Sequence, residues 1–335
     1  MADKVNKIVI TTGDPNGIGA EITIKALKKL NLSPDKVALI SNYKILELYG
    51  GLNKDYEIIE IPYNAEIKPG EVTKEAGEFS FQSVKLACEI GAKAIVTAPV
   101  SKNAMHLAGH YFNGQTEILQ KYLAHDGQLA EMLFVAGNFR VLLLTRHVPL
   151  KEVNLTKELV VEKILNLKKF FVSHLGIIEP GFALCGFNPH SGEGGILGRE
   201  EIDILQPAVD ELRENGVNIT NPLPADTLFV RAAENYLKNN FVERLKSLKV
   251  EKLNNYQTIQ LFNHSTIQPK YDCYIANYHD QGLIPIKTVA GDKTVNMTIG
   301  LDIIRTSPGH GTAFDIAGKN LADETGMVEA IKAVL

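Results

Sequence analysis

The chain has 335 residues, 45% of them hydrophobic and 22% charged, with a formal net charge of −4. That length exceeds one compact core and predicts two lobes, while the slight negative charge gives nucleic acid or an anionic membrane no electrostatic hold. Three scattered cysteines, Cys88, Cys185 and Cys273, argue against a disulfide framework and are too few for a four-thiolate zinc site.

The opening residues, MADKVNKIVI, lack the apolar run of a signal peptide, and no stretch reaches eighteen apolar residues. A cytoplasmic location without membrane contact is expected. Residues 7–12 (KIVITT) read as a buried strand stopping at Gly13-Asp14-Pro15-Asn16-Gly17-Ile18-Gly19, and AEITIKALKKL follows with helical spacing. Strand, glycine turn and helix open an α/β unit. The alternation continues through VALISN, a helix near 43–48, the strand EIIEIP and a helix over about 73–90. The apolar strand AIVTAP ends at Pro99, and Ser101 and Lys102 start the next helix. Such continuous apolar runs mark parallel strands covered on both faces.

After Gly114 the pattern changes. EMLFVAG and FRVLLLT flank Gly137-Asn138 and predict a hairpin, an antiparallel addition to the sheet. A helix over about 156–173 follows, then the strand FALCG, the loop NPHSGEGGILG and a helix over about 199–214 ending at Gly216. Residues 231–270, rich in Lys, Asn and Gln, read as a surface insertion that is helical in its first half.

Three histidines sit in loops directly after strand-like runs: His147 after FRVLLLTR, His190 after FALCGFNP and His279 after YDCYIANY. Ligands bind an open α/β sheet at the carboxyl ends of its strands, so these loops can converge. Three imidazoles with an open position suit a catalytic divalent metal; singly, each also suits a capping or satisfied polar role. The loop GDPNGIGAE brings glycines ahead of a helix N-terminus, which suits an anion or simply a tight turn. The loop around His190 has similar glycine density. Lys102, Arg146, Lys287 and Arg305 are the cationic candidates. Lys287 lies in the strand-like run LIPIKTV and Arg305 in DIIRTSP, where a charge needs either a structural ion pair or a substrate phosphate or carboxylate. Asp226, in PLPADTLF, is a helix N-cap or an acceptor for a metal-bound histidine.

Taken together, TTGDPNGIGAEI, TAPVSK, GQTE, TRHVPL, CGFNPHSGEGGILGREE, PLPADTLF, YHDQGLIPIK and VNMTIGLDIIRTSPGHGTAFDIAGK resemble the 4-hydroxythreonine-4-phosphate dehydrogenases, the PdxA family of vitamin B6 biosynthesis. The match runs in order over nearly the whole chain. HGTAFDIAGKNLAD also looks like the adenosine-contacting loop of isocitrate and isopropylmalate dehydrogenases, and GDPNGIGAE like their N-terminal glycine turn. The resemblance implies two α/β/α lobes with a mixed, mostly parallel sheet and a cleft between them: 1–112 plus 290–335, and 113–289 with the dimer contacts. It implies a divalent metal (zinc, magnesium or cobalt) on His147, His190 and His279, and substrate on Gln115, Thr116, Lys287, Asn296 and Arg305. The cofactor, NAD or NADP, is expected on Gly13, Asp14, His310, Gly311, Thr312, Ala313, Asp315 and Asn320.

The implied reaction is oxidation of 4-phosphohydroxy-L-threonine at C3, followed by decarboxylation, in a homodimer whose active site the neighbouring subunit completes. Two departures stand out. The family has histidine where Gln115 stands, and Gln can donate a hydrogen bond but cannot carry a charge. The 231–270 stretch is longer than the family's usual connection. Rival readings are a paralogous dehydrogenase of 4-phosphothreonate or 4-phosphoerythronate, a metal-dependent hydrolase, and a non-catalytic small-molecule-binding protein.

Overall fold

The computed structural model describes residues 5–247 and 271–335, so the second half of the expected insertion lies outside the described residues. Backbone contacts divide the chain into two units: Met1–Met132 with Asp292–Leu335, and Leu133–Gly291. The division falls after Met132 rather than at 112, because the helix and loop that follow Gly114 pack with the first unit.

The first unit opens with β1 (Ile8–Thr11), α1 (Gly19–Leu30), β2 (Val37–Ser41), α2 (Tyr43–Glu47), β3 (Glu57–Glu60), α3 (Lys74–Glu89) and β4 (Ala94–Thr97). Two further helices, α4 (Lys102–Leu107) and α5 (Gln115–Leu123), follow. The helix starts have local causes. Thr73 caps α3 by accepting from Ala76 N–H, and Ser101 caps α4 by accepting from Ala104 N–H. The second unit runs through β5 (Glu131–Ala136), β6 (Phe139–Leu143), α6 (Lys157–Leu175), β7 (Gly181–Leu184), α7 (Gln206–Glu214), β8 (Asn218–Ile219), α8 (Ala225–Ser247), β9 (Cys273–Ala276) and α9 (His279–Ala290). Thr156 caps α6 in the same way, and Gly176, at φ 67°, ends it. The chain then returns to the first unit as β10 (Val295–Ile299), β11 (Arg305–Pro308) and α10 (Thr325–Lys332).

In the first unit the strand order is β3-β2-β1-β4-β11-β10. All neighbours are parallel except β10, which is antiparallel to β11. Alternation along β1 sorts its two faces: Ile8 and Ile10 pack with Ile22, Leu27, Met327 and Ile331 of α1 and α10, while Val9 packs with Ala87 of α3 and Leu119 of α5. Both faces are apolar because helices cover both. In the second unit the order is β5-β6-β9-β7-β8. β5 and β6 form the expected antiparallel hairpin, and β6, β9, β7 and β8 are parallel.

One expectation of local structure fails, and one element was not expected. LIPIKTV is not a strand: Lys287 lies in α9, whose buried Leu283, Ile286 and Ala290 recur at helical spacing despite the β-branched residues around them. The helix α5 is also new. Its N-cap position, Gly114, offers no side-chain acceptor that would announce a start.

The three cysteines are free and buried, and burial pushes the Cys88 and Cys273 thiols up to about 12, which leaves them inert. Among the described residues no helix is long and apolar enough to cross a membrane.

Candidate active site

β6, β9 and β7 are adjacent and parallel, so their carboxyl ends open on one edge of the second unit. His147, His279 and His190 follow these three strands. The loops are tied by a set of hydrogen bonds that sequence reasoning missed. Thr145 donates from both its N–H (3.2 Å) and its hydroxyl (2.7 Å) to the carbonyl of Asn277, joining the ends of β6 and β9. Asn277 Nδ2 donates to Cys185 O at 2.9 Å and Gln281 Nε2 to Gly186 O at 2.7 Å, joining the end of β9 to the end of β7. Gln281 Oε1 accepts from Asn277 N–H at 2.7 Å and so fixes the turn into α9. A glycine sets the depth of that helix: a Cβ on Gly282 would lie 2.7–2.9 Å from Leu143, Val141 and Ala276.

The rings of His147 and His279 stand 5.5 Å apart, tilted by 46°, a spacing that suits two imidazoles sharing one ion. They line a cavity of about 430 Å³ with Arg146, Tyr278 and Asp280. Asp280 Oδ1 lies 2.7 Å from His279 Nδ1. A carboxylate only accepts, so Nδ1 carries the proton and the lone pair of a neutral ring sits on Nε2, where a metal binds. The donor chemistry of this pair therefore fits a divalent cation. His190 shares the sheet edge but not the cluster: among the described residues no group of three His, Cys, Asp or Glu is close enough to hold an ion. Asp226 lies in the first turn of α8 and, among the described residues, accepts from Thr227 rather than from a histidine. The carboxylate that does accept from a histidine is Asp280.

Four of the five expected substrate residues lie in the first unit. Arg305 is 3% exposed, and burial pulls its guanidinium down to about 10. Its Nε and Nη2 both donate to Thr97 Oγ1, at 2.8 and 2.5 Å, and among the described residues it has no ion pair. The register pairs Arg305 with Thr298, Asn296 with Ser307 and Thr11 with Thr97, so all six share a sheet face. On that face Thr11 Oγ1, Asn296 Oδ1 and Thr298 Oγ1 are buried without a hydrogen-bond partner among the described residues. Thr116 is buried in the first turn of α5, and Gln115 donates to Ala98 O at 3.1 Å while its Oε1 is left over. A buried cation beside hydroxyls able to donate suits an anionic, oxygen-rich ligand, while the leftover amide oxygens of Asn296 and Gln115 only accept and suit a ligand hydroxyl or amine. Lys287, of the second unit, is exposed on α9.

The two stretches expected to hold the cofactor meet. Ile18 N–H donates to Thr312 O at 3.1 Å, and a Cβ on Gly17 would lie 3.1 Å from the Thr312 Cβ. Buried Glu21 accepts from Ala322 N–H at 2.7 Å, and Lys25 donates to the carbonyls of Asn320 and Ala322. Ala313 and Asn320 take φ 43° and 57°, so this loop is bent where side chains resist bending. His310 and Gly311 precede the contact, and Asp315, at the exposed surface, accepts from Lys319 through its carbonyl. Gly13, at φ 71°, brings its backbone so close to Pro99 that a Cβ would sit 2.2 Å from the carbonyl oxygen. Next to it Asp14 is wholly buried, with Oδ1 accepting from Asn16 N–H and Oδ2 without a partner among the described residues. Desolvation pushes this carboxyl up to about 6 against the pull of its backbone hydrogen bonds.

Residues 4–334 match the family model described as Pyridoxal phosphate biosynthetic protein PdxA. The chain belongs to the PdxA family. A relative named 4-hydroxythreonine-4-phosphate dehydrogenase, from Sulfurihydrogenibium sp. (strain YO3AOP1), is 35% identical and aligns over 98% of this chain and 97% of its own. One named D-threonate 4-phosphate dehydrogenase, from Salmonella typhimurium, is 32% identical over 98% of each chain. Among solved PdxA-type structures, 4-hydroxythreonine-4-phosphate dehydrogenase from Klebsiella pneumoniae gives a TM-score of 0.77 at 31% identity, covering 98% of this chain and 97% of that one. The β-decarboxylating dehydrogenase from Thermococcus kodakarensis, 14% identical with a TM-score of 0.50 over 96% of this chain and 80% of its own, shares the fold alone. The α/β fold expected of the PdxA motifs is thus the fold found.

Proposed function

We propose that the protein is an NAD(P)-dependent dehydrogenase that oxidises 4-phosphohydroxy-L-threonine at C3 to 2-amino-3-oxo-4-phosphooxybutanoate, which loses CO2 to give 3-amino-2-oxopropyl phosphate in pyridoxine 5'-phosphate biosynthesis. Full-length PdxA membership and relatives named for this activity support the assignment. The observation that carries it is Arg305. A buried guanidinium whose hydrogen bonds go to one neutral hydroxyl, with the Glu117 carboxylate felt but not paired to it, can take a phosphate or carboxylate as its direct partner.

His147 and His279 would hold a divalent ion, with His190, from the same sheet edge, as the third ligand the family resemblance implies; such an ion would supply Lewis-acid chemistry and a nicotinamide dinucleotide would supply the hydride acceptor. The chain's own residues position the substrate. Arg305, with Thr97 behind it, grips one anionic end, and Thr116 and Asn296 supply hydrogen bonds beside it. Gln115 offers its amide where the family has histidine, so this contact carries no charge at any pH. Lys287 offers a second cation as a flexible point charge. Gly13, Asp14 and the 310–320 loop would take the adenosine end of the dinucleotide, with Thr312 buttressed by Gly17. Anion binding remote from C3 fixes the reacting carbon and so adds to turnover as well as to affinity.

A homodimer accompanies this reading. Ile196 and Ile202, 81% and 43% exposed after the His190 loop, are apolar surface that a second copy would cover. Light scattering of the purified protein checks the mass.

The second reading, oxidation of D-threonate 4-phosphate, has support in relatives of that name at similar identity and coverage. The two substrates differ at C2, amino against hydroxyl. Turnover of each with NAD+ and with NADP+, followed by reduced-nicotinamide absorbance, separates the readings. Release of phosphate without nicotinamide reduction would favour a hydrolase instead.

A further inference from the structure

The loop that carries His190 has an unusual backbone. His190, Ser191, Gly192, Glu193, Gly194 and Gly195 take φ of 53, 53, 77, 44, 68 and 98° in succession. Three of the six carry side chains that disfavour this left-handed region, so neighbouring structure must impose it.

The restraint comes from a carboxylate sequence reasoning did not single out. Glu201, 6% exposed, begins the π-helical turn Glu201–Leu205 that leads into α7. One of its oxygens accepts the backbone N–H of Asn188 at 2.7 Å, and the other accepts from Asn188 Nδ2 at 2.9 Å. The neighbouring Glu200 accepts from the same Nδ2 at 2.6 Å. Carboxylates only accept, so two of them oblige the Asn188 amide to face inward nitrogen-first. The loop then closes over this pair. A Cβ on Gly192 would lie 2.7 Å from Glu201 Oε2, and one on Gly198 2.3 Å from Asn188 Nδ2. Leu197 N–H donates to Gly192 O at 3.1 Å. Residues 188, 192 and 198 are thereby packed on one carboxylate–amide pair, with His190 on the turn between the first two.

We propose that Glu201 and Asn188 are positioning residues: together they hold the left-handed loop and aim His190. The aiming rests on the reading of His190 as a divalent-ion ligand; the holding of the loop does not. Glu201→Gln preserves shape but turns one acceptor into a donor that meets the Asn188 donor. Asn188→Ala removes the partner and serves should the first variant fail to fold.

The test uses the full chain with two readouts, amide hydrogen exchange over 189–198 and titration with cobalt(II) followed by its visible absorption bands. In either folded variant, exchange in the loop should rise about tenfold or more while β7 stays protected. The cobalt dissociation constant should rise about 10–100-fold, with altered bands. Loop exchange equal to the parent's in a folded variant overturns the proposal. Faster exchange with unchanged cobalt affinity overturns the aiming of His190. His190→Ala is the control: parental cobalt binding in that variant defeats the reading of His190 as a ligand, while the exchange data still decide whether Glu201 holds the loop.

Discussion

Arg305 directs Nε and Nη2 at a single hydroxyl, Thr97 Oγ1, across the adjacent strands β11 and β4. The hydroxyl satisfies geometry without balancing charge. A buried cation in that condition is costly to the empty protein and suits an anion when one arrives. Lysine keeps the charge but loses the planar fork. Arg305→Lys should therefore lower kcat/KM for the phosphorylated substrate by about 2–5 kcal/mol, tens- to thousands-fold. Equal turnover of the dephosphorylated substrate by the parent protein would show that no cation anchors the phosphate.

Asp14 gives a stability prediction with a definite sign. Its carboxyl is raised from 3.8 to about 6 by burial, so the folded state favours the protonated form. Above about pH 6 the charge is buried at a cost of about 2–3 kcal/mol, and the cost is lost as pH falls through 6 toward 3.8. Asp14→Asn can still accept from Asn16 N–H. It should raise Tm at pH 8 and leave it nearly unchanged at pH 4. A variant less stable than the parent at pH 8 contradicts the burial argument.

Asp280 accepts from His279 Nδ1 and so selects the ring nitrogen that faces outward. Replacing it with Asn allows the ring to flip or change tautomer. Zinc or cobalt affinity, measured by chelator competition, should fall about 10–100-fold in Asp280→Asn. Asp226→Asn serves as comparison and should leave affinity unchanged, because that carboxylate bonds to Thr227.

Gly17 lies under Thr312, where an added Cβ would sit 3.1–3.3 Å from its side chain and carbonyl, a tight fit. In Gly17→Ala the added methyl should shift the 310–320 loop by a few tenths of an ångström, at a cost of about 1–3 kcal/mol where the loop resists. NADH affinity, followed by cofactor fluorescence, should weaken by about five- to a hundredfold on the same basis. Unchanged affinity would place the dinucleotide elsewhere.

How much of this was legible in the sequence depended on the range of each cause. Thr73, Ser101 and Thr156 cap helices within three residues of themselves, and the spacing revealed all three starts. The hairpin at Gly137-Asn138 is equally local. LIPIKTV misled because Ile and Val favour strands on their own, whereas the buried residues of α9 follow the helical period across a longer window. The histidine loops were visible as strand-end loops, but β9 pairing between β6 and β7 is a long-range event, and only it brings the loops to one edge. Asp280 stood in plain view beside His279. Thr97 and Glu201 did not, because their partners, Arg305 and Asn188, lie 208 and 13 residues away in sequence.

The central claim is the oxidation itself. The most direct measurement mixes the purified protein with 4-phosphohydroxy-L-threonine and NAD+ or NADP+, with zinc, magnesium or cobalt added and then chelated, and follows reduced nicotinamide. The account predicts reduction that requires the phosphate, stops with chelator and returns with metal. No reduction of either dinucleotide with any of these metals, by a folded protein, would contradict it.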